Sequence, residues 1–295
     1  MRYLWASSFF TNWAKLRQID AKKENVEKQF IWRSSSINYQ EFGTGSNLLI
    51  AFHGYGQDSS VFQVFDESLG NKYRVVSVDL PYQGKTIWGE DHELNRRDLL
   101  ELIDDFLIHL GHQDKVSLLG YSIGGNYALG FTIARPEIID ELWLIAADGL
   151  TPRIWFRFIT KTTLGRFLFQ RFILNPSRII YTLNIAGKLG ILARRTVAFY
   201  KSTIDTKLKR KELVLRWRSS ARIAPDVSTS RNVLNGYRIK THLIYGKRDS
   251  VISYQAAVMF SDSVATSDLY LVDKGHRLLV PNTNATINAI LDSKD

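Results

Sequence analysis

The sequence predicts an α/β protein with a mostly parallel, eight-stranded sheet that is covered by helices on both faces and carries an inserted helical cap. Two observations lead to this prediction. Short apolar segments typical of buried strands alternate with longer segments of helical periodicity along most of the 295 residues. A glycine-flanked serine, Ser122, lies where one of these strands passes into a helix. Because sites in open α/β sheets form at the carboxyl ends of strands, this serine also marks the expected site.

The individual elements follow from the same periodicities. Strands are predicted near 29–34, 37–42, 47–52, 73–79, 115–119, 141–146, 241–245 and 268–272. Helices are predicted near 59–69, 94–110, 124–134, 253–264 and 283–292. Between the sixth and seventh strands the alternation stops, and residues 151–235 show helical patterns only. We therefore expect an appended segment over 1–28, a core over 29–150 and 236–295, and a helical cap over 151–235.

The segment from Gly120 to Gly125 has the spacing of a nucleophile elbow, in which a serine is exposed on a sharp turn between a strand and a helix. Such a serine adopts a strained backbone conformation, and the crowding two positions before and after it favours residues without a Cβ. Gly120 and Gly124 occupy those two positions. Ser122 is therefore the predicted nucleophile, and the alternative is a glycine-rich turn with an incidental serine.

To act as a nucleophile, a serine hydroxyl needs a general base and a carboxylate that orients this base. His276 follows the predicted strand 268–272 in a loop, which makes it the best placed of the six histidines. Asp249 follows the predicted strand 241–245, and the chain order serine, aspartate, histidine is the order that a nucleophile elbow predicts. Asp148 also follows a strand and is the competing carboxylate.

Attack on a carbonyl group also requires preorganised N–H donors for the oxyanion. The glycine-rich loop that begins at His53 follows a continuous apolar strand. We expect the backbone N–H groups of Tyr55 and Ile123 to form the oxyanion hole. His53 itself fits a structural role better than a catalytic one.

These pieces together resemble the α/β-hydrolase family from about residue 30 to residue 280. The matching segments, in chain order, are His53-Gly54-Tyr55-Gly56, Val78-Asp79-Leu80-Pro81, the elbow around Ser122, Gly246-Lys247-Arg248-Asp249, and Gly275-His276. One departure is the loop Tyr82-Gln83-Gly84-Lys85-Thr86, where the family usually has Gly-His-Gly-x-Ser. The resemblance implies a cap over the active site. It also implies hydrolysis through Ser122, His276 and Asp249, and the shape of the divergent loop stays open.

The predicted cap differs from the rest of the chain in its charge. Residues 151–240 contain 20 Lys and Arg but only three acidic residues, a net charge of +17, whereas the remainder carries −7. Thr151 and Pro152 begin a predicted helix in which Arg153, Arg157 and Lys161 recur every four residues beside aromatic side chains. Three interpretations stay open: a solvated basic face over an apolar lining, contact with an anionic membrane surface, or attraction of an acidic substrate or a nucleic acid.

We therefore predict a serine hydrolase that acts by acyl transfer on a carboxylic ester with an apolar acyl or alcohol part. Thioesters, amides and C–C bonds next to a ketone are alternative substrates for the same three residues. A non-catalytic ligand-binding homologue is the alternative from another class. The chemistry needs neither a metal nor an organic cofactor, and no nucleic-acid partner is expected. The chain has no cysteine, which excludes a thiol nucleophile and fits a reducing cytoplasm, where we expect the protein.

Overall fold

The computed structural model describes residues 27–151, 158–160, 162–191 and 194–293. Its sheet contains Lys28–Trp32 (β1), Ser35–Phe42 (β2), Asn47–Phe52 (β3), Tyr73–Val78 (β4), Val116–Tyr121 (β5), Ile139–Ile145 (β6), Lys240–Gly246 (β7) and Ser267–Val272 (β8). The spatial order is β1-β2-β4-β3-β5-β6-β7-β8. The β1–β2 and β2–β4 pairs are antiparallel, and every other pair is parallel. The predicted α/β class with a mostly parallel eight-stranded sheet is confirmed.

The α-helices of the described residues lie between these strands, except for the last, which follows β8. They are Asp66–Leu69 (α1), Arg96–His109 (α2), Gly124–Ala134 (α3), Thr163–Leu174 (α4), Ser177–Lys188 (α5), Arg194–Thr203 (α6), Lys207–Ile223 (α7), Val227–Gly236 (α8), Tyr254–Ser261 (α9) and Asn284–Asp292 (α10). The segment 59–69, predicted as one helix, is a 3₁₀ helix over Ser59–Phe65 followed by α1.

Strand β3 shows how both faces of the sheet are buried. Leu48 and Ile50 belong to one hydrophobic core, whereas Leu49 and Ala51 belong to the core on the opposite face. Side chains of a strand alternate between faces, so a strand with a core on each side has a continuous apolar sequence. This burial explains why the central strands are recognisable from apolar runs without polar alternation.

Helices α4 to α8 lie between β6 and β7, where the cap was predicted. Buried residues of α4, α7 and the segment before α7 form a small separate core, consisting of Ile173, Ile204, Leu213 and Val214. Further along, Ile223 and Leu234 belong instead to the main core of the sheet. The helical insertion therefore has its own hydrophobic cluster and is anchored on the sheet through its last two helices. The exact division into core and cap stays a prediction.

Two features predicted from the sequence lie outside the described residues. These are most of the appended segment 1–28 and the basic stripe Arg153, Arg157 and Lys161. Across the described ranges, no helix has the length and the apolar character that a membrane span requires.

Candidate active site

Ser122 lies at the turn between β5 and α3 with a φ of 53°, in the left-handed region that non-glycine residues rarely adopt. Three backbone hydrogen bonds hold it there. The Ser122 N–H donates to the Ile145 carbonyl oxygen (3.1 Å), and the Ser122 carbonyl oxygen accepts from the N–H groups of Gly125 (3.0 Å) and Asp148 (2.8 Å). The end of β6 and the start of α3 thus maintain the strained conformation that exposes the serine side chain.

The glycines of the elbow are required by close backbone contacts. A Cβ on Gly120 would lie 2.6 Å from the Cα of Gly125, and one on Gly124 would overlap the carbonyl oxygen of Phe52. The start of α3 therefore packs directly on the end of β3. No flexible side chain can move aside to make room, so the steric explanation for the predicted spacing holds at both positions.

The structure brings the three predicted side chains into one hydrogen-bonded chain. His276 Nε2 lies 3.0 Å from Ser122 Oγ, and His276 Nδ1 lies 2.8 Å from Asp249 Oδ2. These residues are 154 and 27 positions apart in the sequence. The competing Asp148 accepts from the N–H of Gly149 (3.0 Å), and the carboxylate that contacts His276 belongs to Asp249.

The surroundings of Asp249 keep its carboxylate ionised. Its side chain has 0% exposure, and this burial raises its pKa. The hydrogen bond from His276 and those from the N–H groups of Ile252 (2.9 Å) and Val251 (2.8 Å) outweigh the burial, so the net pKa lies below the usual value. An ionised carboxylate at this position holds Nδ1 of His276 in its protonated form, which leaves Nε2 free to accept a proton from the serine.

Tyr121, the residue before the nucleophile, positions the histidine loop. Its hydroxyl donates to the backbone carbonyl of His276 at 2.9 Å, and its ring stacks on the imidazole with 5.6 Å between ring centroids. Burial, followed by the charge of Asp249, raises the pKa of Tyr121 to about 12, so the hydroxyl keeps its proton. The last residue of β5 therefore links the elbow to the loop that carries the imidazole.

The loop after β3, where Tyr55 was predicted as an oxyanion donor, is held by three polar side chains. His53 is fully buried, with Nδ1 2.8 Å from the Gly54 carbonyl oxygen and Nε2 accepting from the Leu80 N–H at 3.0 Å. Burial lowers the pKa of His53, which fits a neutral structural histidine. Gln57 accepts from the N–H of Gly54 (3.0 Å), and Gln83 Oε1 accepts from the N–H of Gly56 (2.7 Å).

The other predicted donor, the N–H of Ile123, belongs to the residue between Ser122 and Gly124. Because Gly124 packs against the backbone at the end of β3, Ile123 lies beside the start of the loop that carries Tyr55. The two segments are therefore neighbours. Their role as an oxyanion hole stays a prediction.

The divergent loop after β4 is organised around the buried Asp79. Its carboxylate accepts from the N–H of Lys85 (2.7 Å), the N–H of Ser59 (2.5 Å) and the side-chain amide of Asn38 (2.8 Å). Gly84 has a φ of 56°, and a Cβ there would overlap the Asp79 carboxylate. The loop therefore wraps tightly around one carboxylate although its sequence departs from the family pattern.

Arg216 of α7 joins the cap to both of these loops. Its Nε donates to the Tyr82 carbonyl oxygen at 2.6 Å, and its guanidinium lies 5.6 Å from the ring centroid of Tyr55. Glu212, one turn earlier, pairs with it at 2.9 Å. The Tyr55 side chain in turn packs against the cap core. The cap is thus connected to the residue whose N–H is a predicted oxyanion donor.

Gln57, Gln83 and Arg216 contact the loops of the site but were not predicted from the sequence. Gln57 follows a recognisable glycine-rich segment, but the contacts of the two glutamines span 3 and 27 positions and depend on how the loops fold. The contact of Arg216 with Tyr82 spans 134 positions. The only sequence signal for Gln83 is its position in the divergent loop, and Arg216 is one of many basic residues in the cap.

A mostly parallel sheet of this topology, with a serine elbow after β5 and an acid and a histidine after β7 and β8, defines the fold class of the α/β hydrolases. The chain belongs to this family, because the family model described as alpha/beta hydrolase fold matches residues 47–280. It is accordingly a hydrolase.

Individual relatives differ in their named reactions. The chain is 24% identical over 250 residues to the 2-hydroxy-6-oxononadienedioate/2-hydroxy-6-oxononatrienedioate hydrolase 1 of Dechloromonas aromatica (strain RCB), covering 81% of this chain and 84% of the relative. It is 32% identical over 115 residues to the pimeloyl-[acyl-carrier protein] methyl ester esterase of Aliivibrio fischeri (strain MJ11), covering 39% and 42%.

Among solved structures, the chain is similar in fold to MGS-M2, an α/β hydrolase from a Medee basin deep-sea metagenome library. The TM-score is 0.69, the identity is 17%, and the match covers 90% of this chain and 97% of the other.

Proposed function

We propose that this hydrolase acts by acyl transfer with Ser122 as nucleophile, His276 as general base and acid, and Asp249 as orienting carboxylate. The observation that carries the proposal is the continuous hydrogen-bonded chain from Ser122 Oγ through the imidazole to the Asp249 carboxylate. Distances of 3.0 and 2.8 Å lie within the range over which a base removes and returns a proton.

In the first half-reaction Ser122 Oγ attacks the substrate carbonyl carbon, and its proton passes to His276 Nε2. The carbonyl π electrons move to oxygen, and this oxyanion accepts hydrogen bonds from the N–H groups of Tyr55 and Ile123. When the tetrahedral intermediate collapses, the bond to the leaving group breaks, and His276 gives the leaving group its proton. Water then repeats the sequence on the acyl-enzyme and restores the Ser122 hydroxyl.

A carboxylic ester with an apolar acyl or alcohol part is the favoured substrate. The small cap core, built from aliphatic residues, contacts the side chain of Tyr55. An apolar cluster of the cap therefore packs against the loop that would hold the reacting carbonyl. Apolar linings with a few oriented polar groups are typical of small-molecule sites.

Hydrolysis of a C–C bond next to a ketone is the second candidate. It is favoured by the relative from Dechloromonas aromatica, which covers most of the chain and whose name describes an oxo-dicarboxylate substrate. The excess of basic residues in the cap would suit an anionic substrate of this kind.

The test is labelling of the purified full-length protein by a fluorophosphonate probe, compared with Ser122→Ala and His276→Ala variants whose folding is checked by circular dichroism. We expect strong labelling of the wild type, none in Ser122→Ala and a sharp decrease in His276→Ala. A folded wild type that resists labelling would contradict an activated serine and favour a ligand-binding homologue.

A substrate panel then separates the two candidates. Faster hydrolysis of p-nitrophenyl esters of increasing chain length supports the ester hydrolase. Turnover of 2-hydroxy-6-oxononadienedioate with little esterase activity would support the C–C hydrolase instead. The cytoplasmic location and the absence of a nucleic-acid partner, both expected from the sequence, stay predictions.

A further inference from the structure

Helix α4 carries apolar side chains on two opposite sides. On the inner side Ile173 is buried in the cap core, and Phe169 stacks on Trp217 with 5.0 Å between ring centroids. The outer side is also apolar, although it is exposed to solvent: Leu164 (61% exposed), Phe167 (60%), Leu168 (48%) and Phe172 (50%). The packing of the cap explains the inner side only.

Helical geometry joins the outer residues into one stripe. Positions three and four residues apart are neighbours on a helix, so Leu164 is followed by Phe167 and Leu168, and Leu168 by Phe172. The exposed Arg171 lies within the same stripe, one turn from Phe167. An exposed aromatic and aliphatic stripe that includes a cation is unusual for a surface that only faces water.

Helix α5 repeats this pattern. Ile179 and Ile180 pack against the cap core, while Tyr181 (67% exposed) and Ile185 (39%) face solvent one turn apart. Exposed Lys188 follows Ile185 on the same side. We call the exposed residues of α4 and α5 the outer cap face, defined as Leu164, Phe167, Leu168, Arg171, Phe172, Tyr181, Ile185 and Lys188.

The charge of the surrounding sequence indicates what this face contacts. Between Gly149 and Ile204 the chain has ten Lys and Arg and not one Asp or Glu. A second copy of the chain that packed through this same face would present the same positive charge and be repelled. The segment 1–26 is apolar in part but carries a net charge of +3, so it is not complementary either. A surface that is both anionic and able to accept aromatic side chains matches the face in charge and in chemistry.

We propose that the outer cap face binds the surface of an anionic lipid bilayer, with its aromatic side chains in the interfacial region and Arg171 and Lys188 at the lipid headgroups. Basic residues close to an anionic surface each contribute about a fivefold increase in partitioning, and this contribution weakens as salt screens it. The docking does not depend on the proposed chemistry at Ser122. It would place the cap, and the site beneath it, against a membrane.

The test is cosedimentation of the full-length protein with vesicles of phosphatidylcholine alone and of phosphatidylcholine mixed with phosphatidylglycerol. We expect binding to the anionic vesicles that decreases as salt rises, and little binding to the neutral ones. The catalytically impaired Ser122→Ala variant should bind as well as the wild type, so failure of the proposed hydrolase activity would not affect this result.

Matched variants locate the contact. Combining Phe167→Ser with Phe172→Ser should remove most binding, whereas Ile108→Ser, which changes an exposed apolar residue (76% exposed) on α2, should not. Arg171→Glu should weaken binding on the order of tenfold, whereas Lys115→Glu, a charge reversal at an exposed residue away from the cap, should have little effect. Circular dichroism confirms that each variant is folded.

Three results would overturn the proposal. One is a folded wild type that binds neither type of vesicle. Another is vesicle binding that stays unchanged in the outer-face variants but is lost when residues 1–26 are deleted. The third is concentration-dependent dimerisation that is lost in the phenylalanine variants, because it would assign the outer cap face to a second copy of the chain.

Discussion

Replacing Asp249 with asparagine tests the proposed roles of the two candidate carboxylates. Asp249 Oδ1 accepts from the N–H groups of Val251 and Ile252, and an asparagine oxygen can keep both bonds. Its NH₂ group would then face His276 Nδ1 at the position of the carboxylate oxygen that now lies 2.8 Å away. The imidazole would have to present an unprotonated Nδ1 to this amide, so its proton would sit on Nε2, facing Ser122.

The magnitude follows from this change of tautomer. A histidine with its proton on the wrong nitrogen cannot act as a base, and in a serine protease the same change lowers kcat about 10⁴-fold. At about 1.36 kcal/mol per factor of ten, this loss corresponds to about 5.4 kcal/mol of transition-state stabilisation. We expect a decrease of this order for Asp249→Asn, with substrate binding largely unchanged.

The assay is hydrolysis of p-nitrophenyl butyrate, with the rate constant of fluorophosphonate labelling as a second readout. Asp148→Asn is the matched control, because Asp148 also follows a strand end beside the elbow. It should retain most activity. If Asp249→Asn stayed within about tenfold of the wild type, or if Asp148→Asn lost as much activity, the assignment of Asp249 would be wrong.

The pKa of Asp249 adds a stability readout to the same variant. Its folded-state pKa lies below the unfolded value of about 3.9, so its contribution to the free energy of unfolding is present above that pH. The contribution is lost as the pH falls through the folded-state pKa. Urea unfolding should therefore show a steeper loss of stability below about pH 4 for the wild type than for Asp249→Asn; parallel curves would refute this linkage.

Three further substitutions test the loops around the site. Gly124→Ala should abolish fluorophosphonate labelling and lower Tm, because the added Cβ would overlap the Phe52 carbonyl oxygen. The control Gly236→Ala should change neither, because no atom lies within 4 Å of its added Cβ. His53→Gln should make the free energy of unfolding less sensitive to acid. Burial lowers the pKa of His53, so its contribution to stability is present above about pH 6.5 and is lost as the pH falls towards the folded-state pKa. Urea unfolding at several pH values measures this dependence. Arg216→Ala should raise KM more than it lowers kcat, because it releases the cap from the loop after β4; unchanged steady-state kinetics would contradict that role.

The sequence by itself determined the layers of the fold and pointed to Ser122, Asp249 and His276 as the candidate site residues. Apolar runs such as 47–52 are recognisable because central parallel strands are buried on both faces, and this burial is a local property of the sequence. The elbow is recognisable from its spacing: Gly120 is required by a contact within the turn, and Gly124 by the packing of α3 on the end of β3. These features constrain residue types at fixed spacings, and a fixed spacing can be detected without a structure.

Only the tertiary structure decided how distant segments meet. The approach of Ser122 to His276 across 154 positions, and the contact of that imidazole with the carboxylate of Asp249, depend on the order of strands in the sheet. The same is true of the contact between Arg216 and the divergent loop. The sequence of α4 is apolar on two sides and could belong to a helix that is buried on both. Only the packing shows which side is exposed. Such contacts form between segments that are far apart in the sequence, so no local sequence pattern predicts them.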